Sequence, residues 1–280
     1  MPKFKANFDE ASKHDYYFNS YSSHHIHEEM LKDAHRTETY RAAIEGNKNQ
    51  FKDKIVMDIG CGTGILSIFA ARAGAKHVYA IDAAEIALFA KEIVKDNNLQ
   101  DKITVLHGKI EELDLPFKEG EVDIIISEWM GYFLLYESML DCVLWARDKF
   151  LNKETGKMLP DRAKMYVSAI EDSQYMGDKV NFWDNVYGVN MSVMSRGLFK
   201  DPIVDTVPPE NVMSDHCKIL DLDLMKCKKE DVEFSNFYSV NVLYNDNVHA
   251  FVFWFDTDFS DLENPVTLTT SPHKPYTHWK

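Results

Sequence analysis

The chain has no uninterrupted apolar run approaching the roughly 18 residues of a membrane-spanning helix, and its polar start, Met1-Pro2-Lys3-Phe4-Lys5, lacks the apolar segment of a secretory leader. A soluble intracellular protein with no membrane partner is expected. Cysteine is sparse: Cys61, Cys142, Cys217 and Cys227 form no CxxC pair and show no zinc-like spacing, so reduced structural thiols are expected and disulfides are not. His24, His25 and His27 crowd together without thiolates or a HExxH pattern, and no metal is expected. Positive charge is also short, with 31 Lys and Arg against 45 Asp and Glu, a formal net charge of −14. That balance argues against the basic face of a nucleic-acid binder and favours a cationic partner.

What is present suits one large domain or two modest ones: 280 residues, 45% of them hydrophobic. Ile26, Met30, Thr37, Tyr40 and Ile44 recur at helical spacing, predicting one amphipathic helix or two short ones lying across the domain that follows. Over 54–160, strand signals at 55–59, 77–81, 103–106, 122–126 and 157–159 alternate with helix signals at 65–73, 85–96 and 138–150. Such alternation predicts a parallel sheet covered on both faces, with ligands at the carboxyl ends of its strands. Beyond Pro160 the pattern changes to β-branched and aromatic runs at 165–169, 237–244, 248–256 and 266–270, the signature of an antiparallel β domain. Between them, 173–200 carries Tyr175, Phe182, Trp183, Val186, Tyr187, Met191 and Met194, a helix-like apolar projection that needs either a partner or its own domain to cover it.

Two motifs carry chemistry. Asp58-Ile59-Gly60-Cys61-Gly62-Thr63-Gly64 follows the first strand and opens a helix, and Asp82 ends the second strand, where a ribose-binding acid is expected. The third glycine comes one residue after Thr63, not two as in the dinucleotide fingerprint, and Asp58 would repel a pyrophosphate. An ammonium or sulfonium would be welcome there, which favours S-adenosylmethionine. The second motif runs Ser127-Glu128-Trp129-Met130-Gly131-Tyr132-Phe133-Leu134-Leu135-Tyr136-Glu137-Ser138-Met139. Glu128 falls just past a buried strand and Glu137 is placed at the opening of the next helix. Paired acids are costly unless a cation lies between them, and a planar guanidinium neutralises and hydrogen-bonds both, so arginine is the expected substrate. A small-molecule amine methyltransferase or a noncatalytic cofactor-binding scaffold are the alternatives, with an oxidoreductase least favoured by the glycine spacing.

On these motifs, with Tyr16-Tyr17-Phe18-Asn19-Ser20-Tyr21 and Tyr276-Thr277-His278-Trp279, the chain resembles the type I protein arginine N-methyltransferases over essentially its whole length. The resemblance implies an α/β fold: an N-terminal helical segment over 1–50, a Rossmann-like S-adenosylmethionine-binding parallel sheet over 51–160, and a β-barrel-like antiparallel domain over 161–280. It implies a helical dimerisation arm at 173–207 that closes a ring of two subunits. His27, Arg36, Gly60, Asp82 and Glu111 would bind the cofactor, with Arg36 on its carboxylate, Asp82 on the ribose hydroxyls and Glu111 on the adenine amino group. Asp58 would lie beside the methionine moiety. Glu128 and Glu137 would be the catalytic acids, Tyr21, Met30, Tyr132 and Met139 would shape the arginine slot, and His278 would pair with Asp33. Mono- and asymmetric dimethylarginine products, homodimers, substrates among Gly-Arg-rich proteins and histones, and a cytoplasmic and nuclear location follow as expectations of the family. Asp82 stands where relatives usually carry glutamate, Asn19 replaces an aspartate, and His25 replaces a glycine. The family continues past the position of Lys280 through strands that complete its barrel, so open sheet edges are expected here.

Overall fold

The computed structural model describes Tyr21 and residues 23–280; residues 16–20 of the first motif lie outside the described residues. Two helices open the described chain, α1 (His24–Lys32) and α2 (Ala34–Glu45), separated by Asp33, whose side chain accepts the Arg36 amide as the cap of α2. The helical spacing thus resolves into two helices. A short α3 (Lys48–Phe51) leads into the sheet.

That sheet is parallel and five-stranded, built from β1 (Ile55–Ile59), β2 (His77–Asp82), β3 (Ile103–His107), β4 (Ile124–Ser127) and β5 (Lys157–Leu159) in the order β3-β2-β1-β4-β5. The order reverses between β1 and β4, and the crevice at their carboxyl ends is where open α/β sheets bind ligands. β4 is a strand because Ile124, Ile125 and Ile126 bury β-branched side chains on both faces, each burial worth roughly 2 kcal/mol. The crossover helices are α4 (Ile65–Arg72), α5 (Ile86–Asp96) and α6 (Leu140–Phe150). In α5, Ile86, Ala87, Ala90 and Val94 form the buried stripe.

After Pro160, β6 (Arg162–Ile170), β7 (Cys217–Asp223), β8 (Ala250–Phe259) and β9 (Val266–Thr269) pair antiparallel in the order β7-β6-β8-β9. Alternate β6 residues Ala163, Met165 and Val167 join the same continuous core as the parallel sheet, together with Phe255, Phe259 and Leu268. The two sheets therefore share one apolar interior, and α2 lies at their junction, with Tyr40 packed edge-on against Phe259 at 4.9 Å between ring centroids.

The apolar projection after β6 is helical, but of changing pitch: an α turn (Ser173–Tyr175), a π turn (Met176–Val180) and a 3-10 turn (Asn181–Asp184) run on without a gap, and a further 3-10 segment follows at Ser192–Gly197. One expectation changes. The strand expected at 237–244 is irregular chain with a single bridge between Val242 and Ser214, and Phe237, Leu243 and Tyr244 are exposed. Strand propensity there finds no ladder to join.

Candidate active site

The glycine loop leaves β1 by a turn in which the Gly60 and Cys61 amides both donate to the Ile81 carbonyl, at 2.8 and 3.0 Å. Gly60 has φ +71°, where a side chain is strained, and a Cβ there would lie 2.2 Å from the Met139 Cε and displace that side chain. The His27 ring faces the loop, with Nδ1 3.3 Å from the place a Gly62 Cβ would occupy, and its Nε2 donates to the Tyr21 carbonyl at 2.7 Å. Asp82 accepts the amides of Gly62 and Ala84, each at 2.8 Å, one per carboxylate oxygen. Each oxygen retains lone-pair capacity for a hydroxyl.

Beneath the loop Asp58 is fully buried; its Oδ2 accepts the Ser67 hydroxyl at 2.7 Å, while Oδ1 has no hydrogen-bond partner among the described residues. Burial, against the Ser67 bond and with the negative charge of Asp82, pushes its carboxyl up to about 7. An orphaned acid oxygen, a second acid at the buried edge and a glycine loop held in left-handed backbone at Gly60, Gly62 and Gly64 fit a nucleoside that carries positive charge.

Glu128 follows β4 directly and is buried with Arg36 from α2: Nε and Nη2 of Arg36 both reach Oε2, at 2.8 and 2.6 Å. Burial alone would depress the guanidinium, but the Glu128 carboxylate outweighs it and holds Arg36 charged. Glu137 accepts the Tyr21 hydroxyl at 2.7 Å. It does not open a helix: α6 begins at Leu140, and Glu137 sits in left-handed backbone at φ +81°. Phe133, Leu134 and Ser138 share that conformation at +53°, +61° and +59°. Side-chain-bearing residues adopt it only when surrounding contacts impose it. Here the Gly131 amide donates to the Leu134 carbonyl at 3.0 Å, and the Tyr136 carbonyl comes within 2.1 Å of where a Gly131 Cβ would be.

The final segment closes over this loop. Asp33 Oδ2 accepts both the amide and the Nδ1–H of His278, each at 2.8 Å, and the buried Trp279 indole donates to the Met130 carbonyl at 2.8 Å. Met139 lies on Gly60, and Met30 is half-buried with its carbonyl facing Arg36 Nη1 and Thr37. Tyr132 is exposed. Glu111 is exposed beyond β3; its charge, after burial, helps push the nearby Cys142 thiol up to about 12. Three contributors were not singled out from the sequence: Ser67, which holds Asp58; Tyr40, which reaches the Ser127 carbonyl at 3.0 Å; and the Trp279 bond to Met130. Tyr40 carried a signal, standing one helical turn after Arg36.

A glycine cradle and a buried acid–guanidinium pair side by side at the switch point of a parallel sheet define a nucleoside-dependent group-transfer enzyme of the methyltransferase class. Two family profiles match: "Arginine methyltransferase oligomerization subdomain" over residues 161–280, and "Ribosomal protein L11 methyltransferase (PrmA)" over 35–135. The sequence is 54% identical over 266 residues to Protein arginine N-methyltransferase 1 of Schizosaccharomyces pombe, covering 95% of this chain and 77% of that one. The Chlamydomonas reinhardtii protein of the same name is 53% identical, covering 95% and 76%. Among solved structures, the "Trypanosoma brucei PRMT1 enzyme-prozyme heterotetrameric complex with AdoHcy" superposes with a TM-score of 0.85 at 47% identity, over 93% of this chain and 81% of that one. Arabidopsis thaliana protein arginine methyltransferase 10 superposes with a TM-score of 0.81 at 34% identity, over 94% and 82%. The chain belongs to the protein arginine N-methyltransferases.

Proposed function

We propose that this chain transfers methyl groups from S-adenosylmethionine to the terminal guanidinium nitrogens of arginine in basic proteins. The observation that carries the reading is Glu128, a buried carboxylate that already holds a guanidinium by two of its nitrogens. His27, Arg36, Asp58, Gly60, Asp82 and Glu111 are the residues assigned to hold the cofactor, which when bound supplies a methyl carbon made electrophilic by its sulfonium.

The protein's part is to present one nitrogen of a poor nucleophile. A guanidinium is delocalised and its pKa exceeds about 12. Glu128 and Glu137, hydrogen-bonded to the remaining nitrogens, would draw positive charge toward themselves and leave electron density on the attacking atom. Tyr21 orients Glu137, and Met30, Tyr132 and Met139 are assigned the walls of the slot and with them the asymmetric dimethyl product. The attacking nitrogen loses a proton as it gains the methyl carbon. His278 commits its Nδ1–H to Asp33, so Nε2 is its basic nitrogen and the acceptor we assign to that proton.

The oligomerisation subdomain matched over 161–280 supports assembly of subunits. A homodimer through 173–207 is supported by exposed Phe182, Tyr187, Val193, Met194 and Phe199 in that segment. The acidic balance supports cationic substrates such as Gly-Arg-rich proteins and histone tails, and the family resemblance implies that they are met in cytoplasm and nucleus. Mass spectrometry of a Gly-Arg-rich peptide incubated with S-adenosylmethionine, beside its lysine-substituted version, tests the reading. Mass gain on the arginine peptide alone is expected, and equal labelling of both or none of either would overturn it.

A further inference from the structure

Tyr40 is the largest polar side chain sealed in the interior at the junction of the two sheets. Its ring packs against Phe259, and a phenylalanine would fill the same space. The hydroxyl is the separable feature. It donates to the Ser127 carbonyl at 3.0 Å, with the Met130 sulfur farther off at 4.0 Å. Ser127 ends β4 and immediately precedes Glu128. The Ser127 hydroxyl, itself buried, donates in turn to the Ile59 carbonyl at 2.8 Å. Ile59 ends β1 and immediately precedes Gly60, and Ile59 and Ser127 are the last register partners of the two strands.

We propose that the Tyr40 hydroxyl is a positioning group for methyl transfer: from α2 it holds the Ser127 backbone at the strand end that carries Glu128, the same residue whose hydroxyl ties that end to the strand end that carries the glycine loop. The inference rests on the methyl-transfer reading above. Arg36, one turn earlier on α2, grips the Glu128 side chain, so α2 fixes both the backbone and the carboxylate of the same acid. Burial, and after it the negative charge of Glu128, hold the phenol well above its ordinary value, so Tyr40 remains a donor throughout the working pH range. The placement of the acceptor site relative to the donor site then rests on two bonds that meet at Ser127, one from α2 to its carbonyl and one from its hydroxyl to the Ile59 carbonyl. An in-line displacement is sensitive to such a distance, since a misplacement of about 1 Å costs on the order of 100-fold in rate.

The full-length chain with Tyr40→Phe and with Ser127→Ala tests this. Each is expected to lower kcat on a Gly-Arg peptide about tenfold with peptide KM within about twofold, and the double variant is expected to be slower than either single, because Ser127→Ala keeps the carbonyl that Tyr40 holds and each change removes a different bond. Hydrogen exchange at residues 60–64 and 128–131 is expected to rise in both variants. Ser127→Ala leaves the Tyr40 ring untouched and supplies the comparison if Tyr40→Phe loses its fold. Wild-type kcat, or a change confined to KM, overturns the proposal, as does unaltered exchange at both segments. A parent chain that methylates no arginine peptide counts against the methyl-transfer reading instead, and exchange then decides whether the tie exists.

Discussion

Arg36 places two nitrogens on a single oxygen of Glu128, at 2.8 and 2.6 Å, with both side chains only 7% exposed. The pair is sealed from water, and the carboxylate approaches the guanidinium by one oxygen. A second guanidinium can then meet the same acid from its other edge. The first two expectations follow from that geometry.

Glu128→Gln keeps the shape and removes the charge. Turnover on an arginine peptide is expected to fall by about 100-fold or more while cofactor affinity changes little. A radiolabel transfer assay beside equilibrium cofactor binding checks both halves; wild-type rates would refute the clamp. Glu137→Gln is expected to behave alike.

Arg36→Met strands the buried Glu128 without its cation. Removing one partner of a buried pair costs about 3 kcal/mol, so the urea midpoint is expected to drop visibly and cofactor affinity with it. An unchanged midpoint would mean that Glu128 finds another partner or solvent.

Asp58 should make stability depend on pH. Burial raises its folded carboxyl to about 7, above the unfolded value near 3.9, so the folded state binds the extra proton between them. That contribution is fully present below the unfolded value and is lost as pH rises through about 7. Asp58→Asn is expected to flatten the fall in melting temperature between about pH 5 and pH 8, a range that takes in the upper part of this window and about one unit beyond it. Identical slopes in parent and variant would sink the assignment.

Gly60→Ala should fold and fail to bind. Left-handed backbone at φ +71° costs alanine roughly 1–2 kcal/mol, and the new methyl meets Met139. Circular dichroism is expected to stay near that of the parent while cofactor affinity collapses.

Deleting residues 173–207 is expected to yield monomers by sedimentation. An unchanged dimer would place the subunit contact elsewhere.

Much of the site was legible because its residues sit at the ends of strands with strong apolar signals. β1 and β4 read clearly as Ile- and Val-rich runs, so Gly60 and Glu128 could each be placed at the carboxyl end of a strand from sequence alone, while the sheet order makes those two strands neighbours. Glu137 could not: four residues of left-handed backbone delay the helix to Leu140, and no side-chain pattern announces a conformation imposed by packing. The segment 237–244 misled for the opposite reason, since its β-branched and aromatic residues state a propensity that only a partner strand can realise. Ser67 and Tyr40 were missed because their importance lies in which oxygen they reach across the fold.

Asp33 and His278 are separated by 245 positions, yet one carboxylate caps α2 and clasps the closing segment. During synthesis the ribosome releases the first helices and the entire parallel sheet long before His278 emerges. A nascent chain therefore already holds every residue of the glycine loop and its buried acids while the clasp over the acidic loop is still missing.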